Sequence, residues 1–263
     1  VAKQSTGQTL RSAERMLDVL EAFSLHQPAL TAAEVSEQLE LAPSTVRRLL
    51  NVLEQHGFVR VDPMTGQFAP HYQVVRLAAV ALEGNDLISN ARVPLDLLHD
   101  RTQEAAQLVV LSDHDIVFVD RRESSSLIKI FSAIGQRYPA WDGRASGKVL
   151  LAWLPEDDVS AMLPAPEDWA QAGPNAAPTP QTYLEELAKV RAQGYAVNDE
   201  ETDRDVWAVA APVRDHTGRV VAAINVPVLK TRATDPNRVA ELIDATTTAA
   251  ASVSEGLKFF FSH

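Results

Sequence analysis

Residues 30–62, LTAAEVSEQLELAPSTVRRLLNVLEQHGFVRVD, restrict the fold more than any other part of the chain. Thr31 stands three residues before Glu34, the spacing of a capping box, which predicts a helix from Ala32 with Val35 and Leu39 turned inward. Pro43 disfavours helix at the residue before it, so that helix must end there. Ser44 is then the expected N-cap of a second helix, with Val46, Leu49, Leu50 and Leu53 on one face and Gly57 as its stop. The sequence that follows, FVRVDPMTGQFAP, reads as strand, turn and strand, with the turn at 63–66. Ahead of all this, residues 10–23 place Leu10, Ala13, Leu17 and Leu20 at helical spacing. Three helices and a hairpin in this order make a winged helix-turn-helix.

Arg47 and Arg48 sit side by side on the second helix of that unit, yet the chain carries a net charge of -11. Helical geometry resolves the conflict. The apolar face is used for packing, and the opposite face carries Thr45, Arg47, Arg48 and Asn51. A recognition helix presents such residues to the major groove, where arginine reaches phosphate or a guanine edge. Ser44 and Thr45 stand where the free N–H groups of a helix start favour phosphate. From 43 to 60 there are three arginines and one glutamate, so basic character is confined to one surface. Arg60 and Gln67 of the hairpin, and Arg11 with Lys3 from an N-terminal arm, are further candidates for backbone contact.

After this unit the pattern changes. Residues 71–103 read as one or two linking helices interrupted near Gly84. Strands are expected on either side of the turn SDHD, again over 126–135 (SLIKIFSAIG), and around DHTG at 215–218. Helices are expected at GKVLLAWL, at DDVSAML, over TYLEELAKVRAQ with Thr182 and Glu185 as its capping box, and over DPNRVAELIDATTTAAASVSEGL, with the aromatic tail KFFFSH after it read as a packing segment. A Pro- and Ala-rich stretch, PAPEDWAQAGPNAAPTP, reads as a surface loop. Strand pairs alternating with helices predict an α+β domain with a mostly antiparallel sheet. The expected division is a DNA-binding domain at 1–72, linker helices at 73–100, and a second domain at 101–263. At 263 residues and 46% hydrophobic composition the chain can bury two such cores. The absence of cysteine excludes disulfides and thiolate chemistry. The polar start has no signal-peptide core and no run reaches membrane-spanning length, so a cytoplasmic location without membrane contact is expected.

Catalytic patterns fail on spacing. GRASGKV resembles a phosphate loop, but the gap from Gly143 to Gly147 is one residue short, and Val149 stands where a hydroxyl should bind magnesium. Ser126 and Lys129 have the Ser-x-x-Lys spacing but lie in an expected strand without the companion motifs. The seven histidines show no metal-binding spacing. No catalytic residue, metal or cofactor is therefore expected. The alternative is a small-molecule enzyme or ligand-binding protein that uses the carboxylates Asp199, Glu200 and Glu201 within NDEETDRD, a segment otherwise read as a solvated connector. Trp141 and Trp207 suit either a planar ligand or a core. Asn225, inside the apolar strand VVAAINVPV, needs a hydrogen-bond partner.

The chain resembles the IclR family of bacterial transcriptional regulators. The resemblance rests on SAERMLDVLEAF and LAPSTVRRLLNVLEQHGFV in the first half. In the second it rests on GQRYPAWDGRASGKVLLAWLP and LAKVRAQGYAVNDEETDRDVWAVAAPVRDHTGRVVAAINVP. It implies an N-terminal winged helix-turn-helix, a linker helix and a C-terminal GAF-like α/β effector-binding domain. It also implies double-stranded operator DNA as partner, a homodimer or homotetramer, and a small organic or aromatic acid as effector, with repression of catabolic genes the expected sign. By family position the effector pocket takes Trp141, Arg144, Ser146, Asn198, Trp207, Ala208 and Asn225. The chain departs from the family at Asn198, Asp205 and Arg214, and in the 139–147 loop, one residue longer than usual and bearing Trp141 and Arg144. These departures lie near the pocket.

Overall fold

A computed structural model describes residues 5–83, 85–169 and 173–260; Lys3, Gly84, the end of the aromatic tail and part of the Pro- and Ala-rich stretch lie outside them. The chain divides into two compact units, 1–84 and 85–263.

The first unit is built on α1 (Ser5–Glu21), α2 (Ala32–Gln38) and α3 (Pro43–Gln55), followed by the antiparallel wing of β1 (Val59–Val61) and β2 (Phe68–Pro70) and by α4 (Tyr72–Glu83). Its core is Val19, Leu30, Val35, Leu50 and Phe68, with the α3 residues Val46, Leu49 and Leu53 closing it. The capping box forms: the Glu34 N–H donates to Thr31 Oγ1 at 3.2 Å, and the Thr31 N–H donates to Glu34 Oε2 at 2.6 Å. Backbone bonds between Leu30 and Phe68, at 2.9 and 2.7 Å, tie the chain ahead of α2 to the wing.

Two local expectations fail here. The inward face of α1 is Met16, Val19 and Leu20, whereas Leu17 is exposed and Ala13 faces solvent. α3 starts at Pro43, with Ala42 as N-cap and no side-chain cap. Proline suits the first helical position, because its missing N–H has no partner there in any case, and this displaces Ser44 into the first turn.

The second unit opens with α5 (Asp86–Thr102), capped by Asn85, so residues 85–100 of the expected linker belong to this compact body. Its sheet is wholly antiparallel, in the order β5-β4-β3-β8-β7-β6. The strands are β3 (Ala106–Ser112), β4 (Asp115–Arg122), β5 (Arg137–Pro139), β6 (Ala196–Asp199), β7 (Val206–Arg214) and β8 (Val220–Leu229). α5 and α9 (Pro236–Phe260) cover one face. α6 (Ala145–Ala152) and α8 (Pro180–Gln193) cover the other, with α7 (Glu156–Met162) beside them. On that second face Val109, Ile116, Phe118, Ala210 and Ala223 pack against Val149, Tyr183 and Leu187.

No strand forms over 126–135; the third strand of that edge is β5, at 137–139. Leu127, Ile128, Phe131 and Ile134 all face outward there, so an apolar run that reads as a buried strand is an exposed loop. α8 is capped by Thr179, whose Oγ1 accepts the Thr182 N–H at 3.1 Å, with Pro180 at the first helical position; Thr182 is not the cap. Gly147 is required by packing: a Cβ there would lie 2.1 Å from the Ala140 carbonyl oxygen, so α6 can sit this close to the end of β5 only without a side chain.

Candidate nucleic-acid surface and ligand cleft

On the first unit α3 turns its polar face to solvent. Ser44, Arg47, Arg48 and Asn51 are exposed and Thr45 is half-buried, while Val46, Leu49, Leu50 and Leu53 are buried behind them. Arg60 is exposed on the wing, and Arg11 is exposed on α1, within a helix and not on an extended arm. Every ion pair recorded among the described residues involves residues 96 and beyond, so the arginines of this face keep their charge unspent inside the unit. The arrangement can neutralise phosphates and present two guanidinium groups to a groove.

The second unit contains a cleft on its α6 face. It encloses about 70 Å³ and is partly open to solvent. Strand register explains which side chains reach it. Paired residues in an antiparallel sheet share a face, and the face alternates along each strand. Asn198 pairs with Ala208 and Ala208 with Pro227, forming one row of the floor. Asn225 pairs with Gln107 in the next row. Arg144, Ala145 and Ser146 at the start of α6 form one wall, and residues 130–132 form another.

The polar groups of the cleft are few and mostly locked. Asn225 Nδ2 donates to Gln107 Oε1 at 2.7 Å, and Gln107 Nε2 donates to Ser132 Oγ at 2.5 Å. Asn198 Nδ2 donates to Thr202 Oγ1 at 2.9 Å, and Asn198 Oδ1 accepts the Glu201 N–H at 2.9 Å. Two buried atoms on the cleft lining have no hydrogen-bond partner: Asn225 Oδ1 and Ser146 Oγ. An unpaired buried polar atom is costly, and both belong to residues that line the cleft. Ser146 lies in the first turn of α6, where unpaired N–H groups and the helix dipole favour an anion. Arg144 stacks on Tyr138, with its guanidinium carbon 3.4 Å from the ring centroid, and pairs with Asp142. Burial holds its guanidinium below the usual arginine range, against the pull of Tyr138 and Asp203.

Behind the cleft lies a buried ion cluster. Lys148 Nζ donates to both Glu201 carboxylate oxygens at 2.6 Å and stands 3.8 Å from Glu186 Oε2. Burial pushes the Glu201 carboxyl above the usual range despite Lys148, and it pushes the Tyr183 hydroxyl well up, with Glu201 and Glu186 adding to that. The carboxylates of 199–201 are therefore structural partners: Asp199 pairs with Lys230, Glu200 Oε1 accepts the Asp205 N–H at 2.9 Å, and Glu201 holds Lys148. The segment is not the solvated connector expected, since Asn198, Glu201 and Thr202 are buried and its first two residues belong to β6.

Arg144, Ser146, Asn198, Ala208 and Asn225 thus meet at one cleft, and the two tryptophans do not line it. Trp207 pairs with Val228, one residue out of phase with the Ala208–Pro227 row, and is buried on the opposite face of the sheet. Trp141 packs 5.4 Å from Trp169, whose ring is 5.6 Å from Tyr183, as part of the core under α8. Gln107 and Ser132 escaped sequence reasoning. Gln107 carries the same signal as Asn225, a lone amide inside an apolar strand (AAQLVVL); Ser132 sits in a loop and carries none. Among the described residues no helix is long and apolar enough to cross a membrane, and no cluster of His, Asp and Glu is placed to hold a metal.

Two family profiles match the chain: the IclR helix-turn-helix domain over residues 12–63 and the bacterial transcriptional regulator IclR C-terminal domain over residues 79–255. The transcriptional regulator XynR of Escherichia coli is 30% identical over 226 residues, spanning 86% of this chain and 89% of XynR. The IclR transcriptional regulator of Alicyclobacillus acidocaldarius superimposes with a TM-score of 0.82 at 26% identity, covering 95% of this chain and 98% of that one. An IclR homologue from Microbacterium hydrocarbonoxydans, in complex with 4-hydroxybenzoate, has the same fold, with a TM-score of 0.81 at 23% identity and coverage of 94% and 99%.

Proposed function

Because the chain belongs to the IclR family of bacterial transcriptional regulators, with a helix-turn-helix domain and an effector-binding C-terminal domain, we propose that it represses catabolic genes and responds to a small organic or aromatic acid. The observation that carries the effector reading is the cleft, where two buried polar atoms await partners beside the start of α6. That end suits a carboxylate, through Ser146 Oγ–H, the first-turn amides and Arg144. The apolar part of the lining suits a short chain or a ring. The 4-hydroxybenzoate complex of the fold neighbour supports an acid of this size.

On DNA, Arg47 and Arg48 read the major groove from α3. Ser44 and Thr45 hold a phosphate at its start, Asn51 extends the contact, and Arg60 and Arg11 meet the backbone. One such unit reads a half-site, so the regulator acts as a homodimer or homotetramer on a pseudo-palindromic operator. A bound operator is closed to other proteins, which makes repression the direct consequence of occupancy. The acid changes operator affinity only through its different affinity for the DNA-competent and DNA-incompetent arrangements.

The test joins a gel-shift assay with calorimetry. Arg47→Ala and Arg48→Ala should each weaken operator binding while the far-UV spectrum stays unchanged. A lost phosphate contact lowers the salt slope by about one, and a lost base contact costs about 1–3 kcal/mol with relaxed specificity at one position. Parental binding in both variants would refute the recognition-helix assignment. A monomer that binds a half-site tightly would refute the oligomer.

A further inference from the structure

The polar groups on the cleft floor form a directional chain. Asn225 Nδ2 donates to Gln107 Oε1, and Gln107 Nε2 donates to Ser132 Oγ. With Nδ2 committed to Gln107, the group that Asn225 leaves to the cleft is Oδ1, a buried acceptor with no donor. Ser132 Oγ accepts from Gln107, which leaves its own proton to donate elsewhere. Ser132 also lines the cleft. The floor therefore offers one acceptor and one donor, both belonging to side chains at least nine-tenths buried.

Resting on the reading that an acid binds this cleft, we propose that the effector is a hydroxy acid. Its carboxylate lies at the start of α6, and its hydroxyl gives its proton to Asn225 Oδ1 while accepting from Ser132 Oγ–H. A hydroxyl satisfies both floor groups at once. An ether or ketone oxygen can accept from Ser132 but leaves Asn225 Oδ1 unpaired, and a hydrogen atom at that position satisfies neither. Leaving buried polar groups unpaired is what lets a site reject an analogue lacking one hydroxyl much more strongly than an apolar pocket rejects one lacking a methylene. Gln107 and Ser132 thereby become specificity-determining residues although neither donates to the acid's carboxylate. Gln107 acts as a positioning residue, since its two bonds fix which atom of Asn225 faces the ligand.

Matched acids test this on the intact chain. Binding is measured by calorimetry and thermal shift for 4-hydroxybenzoate, 4-methoxybenzoate and benzoate, and for 3-hydroxybutyrate against butyrate. In at least one series the hydroxy acid should bind roughly 10- to 100-fold more tightly than its partners, the ratio set by one buried hydrogen bond to each floor group. In Asn225→Leu that preference should fall to near unity while operator binding persists. The parent chain alone already decides the proposal if the variant does not fold. Equal binding within each series overturns the hydroxyl requirement and leaves the acid site standing. Preference for the ether overturns the proposal too, because an ether oxygen has no proton to give to Asn225 Oδ1. If none of the five acids binds, the acid reading of the cleft fails and takes this inference with it.

Discussion

At the scale of single residues, charge placement separates what holds the second unit together from what the cleft keeps open. Asp215 opens the turn between β7 and β8. Its Oδ1 accepts the Thr217 hydroxyl at 2.5 Å and the Thr217 and Arg219 amides at 2.8 and 3.1 Å. These bonds, led by the Thr217 hydroxyl, hold its carboxyl at about 2, against an unfolded value near 3.8. A depressed carboxyl stabilises the fold above its unfolded value and loses that contribution as pH falls through its folded value. The Asp215 contribution should therefore be complete above about pH 5, mostly lost by about pH 2 and gone near about pH 1. Urea midpoints of parent and Asp215→Ala, separated at pH 7, should converge as pH falls from 4 to 2; a constant separation would show that the turn is held by something else. Lys148 follows a different logic. It is the one cation against two carboxylates, Glu201 and Glu186, in a buried cluster. Lys148→Met strands both, and removing one partner of a buried pair typically costs about 3–5 kcal/mol. Glu201→Gln added to it should recover part of that loss in the same denaturation experiment.

At the scale of elements, α6 is where fold and cleft constrain each other. Its first turn carries Ser146 to the cleft, and Gly147 lets the Ala140 carbonyl approach from the end of β5. Gly147→Ala should push α6 away from β5, lowering the thermal midpoint and weakening acid binding, with operator binding by the first unit kept. Parental acid affinity in this variant would mean that α6 is not the carboxylate end. The elements themselves were largely legible in the sequence, because a helix and a half-buried strand each impose a period. α2, α3, α8, α9 and the hairpins of β3–β4 and β7–β8 stand where that period places them. The failures fall where period is silent. An N-cap is chosen by one residue, and proline at the first helical position moved two of them, to Ala42 and Thr179. The run at 126–135 has strand composition, but composition does not say whether a neighbour strand exists, and its apolar side chains face outward. In the cleft, five of seven expected residues converge because they share sheet rows or the α6 start. Trp207 misses by one residue of register, which turns a side chain to the other face.

At the scale of the whole molecule, the two functions occupy separate compact units, and their coupling can be measured without knowing its path. Every residue lining the cleft lies at 107 or later, inside the 85–263 unit, which has its own sheet, two helical layers and core. A chain cut to 85–263 should therefore fold and bind the hydroxy acid with the affinity of the whole chain, within about twofold, and should bind no operator. Linkage then sets a stricter condition. If the acid lowers operator affinity by some factor, saturating operator must lower acid affinity by that same factor, since both describe one coupling free energy, commonly about 1–3 kcal/mol. The whole chain titrated with acid, alone and on operator, gives one ratio. Operator titrated with and without saturating acid gives the other. The 85–263 fragment supplies the control, because adding operator should leave its acid affinity untouched. Equal ratios, somewhere between about 5- and 150-fold, would establish that the cleft governs the DNA-binding arrangement. An acid that changes operator affinity while operator leaves acid binding at the cleft unchanged would mean that the response arises at another site.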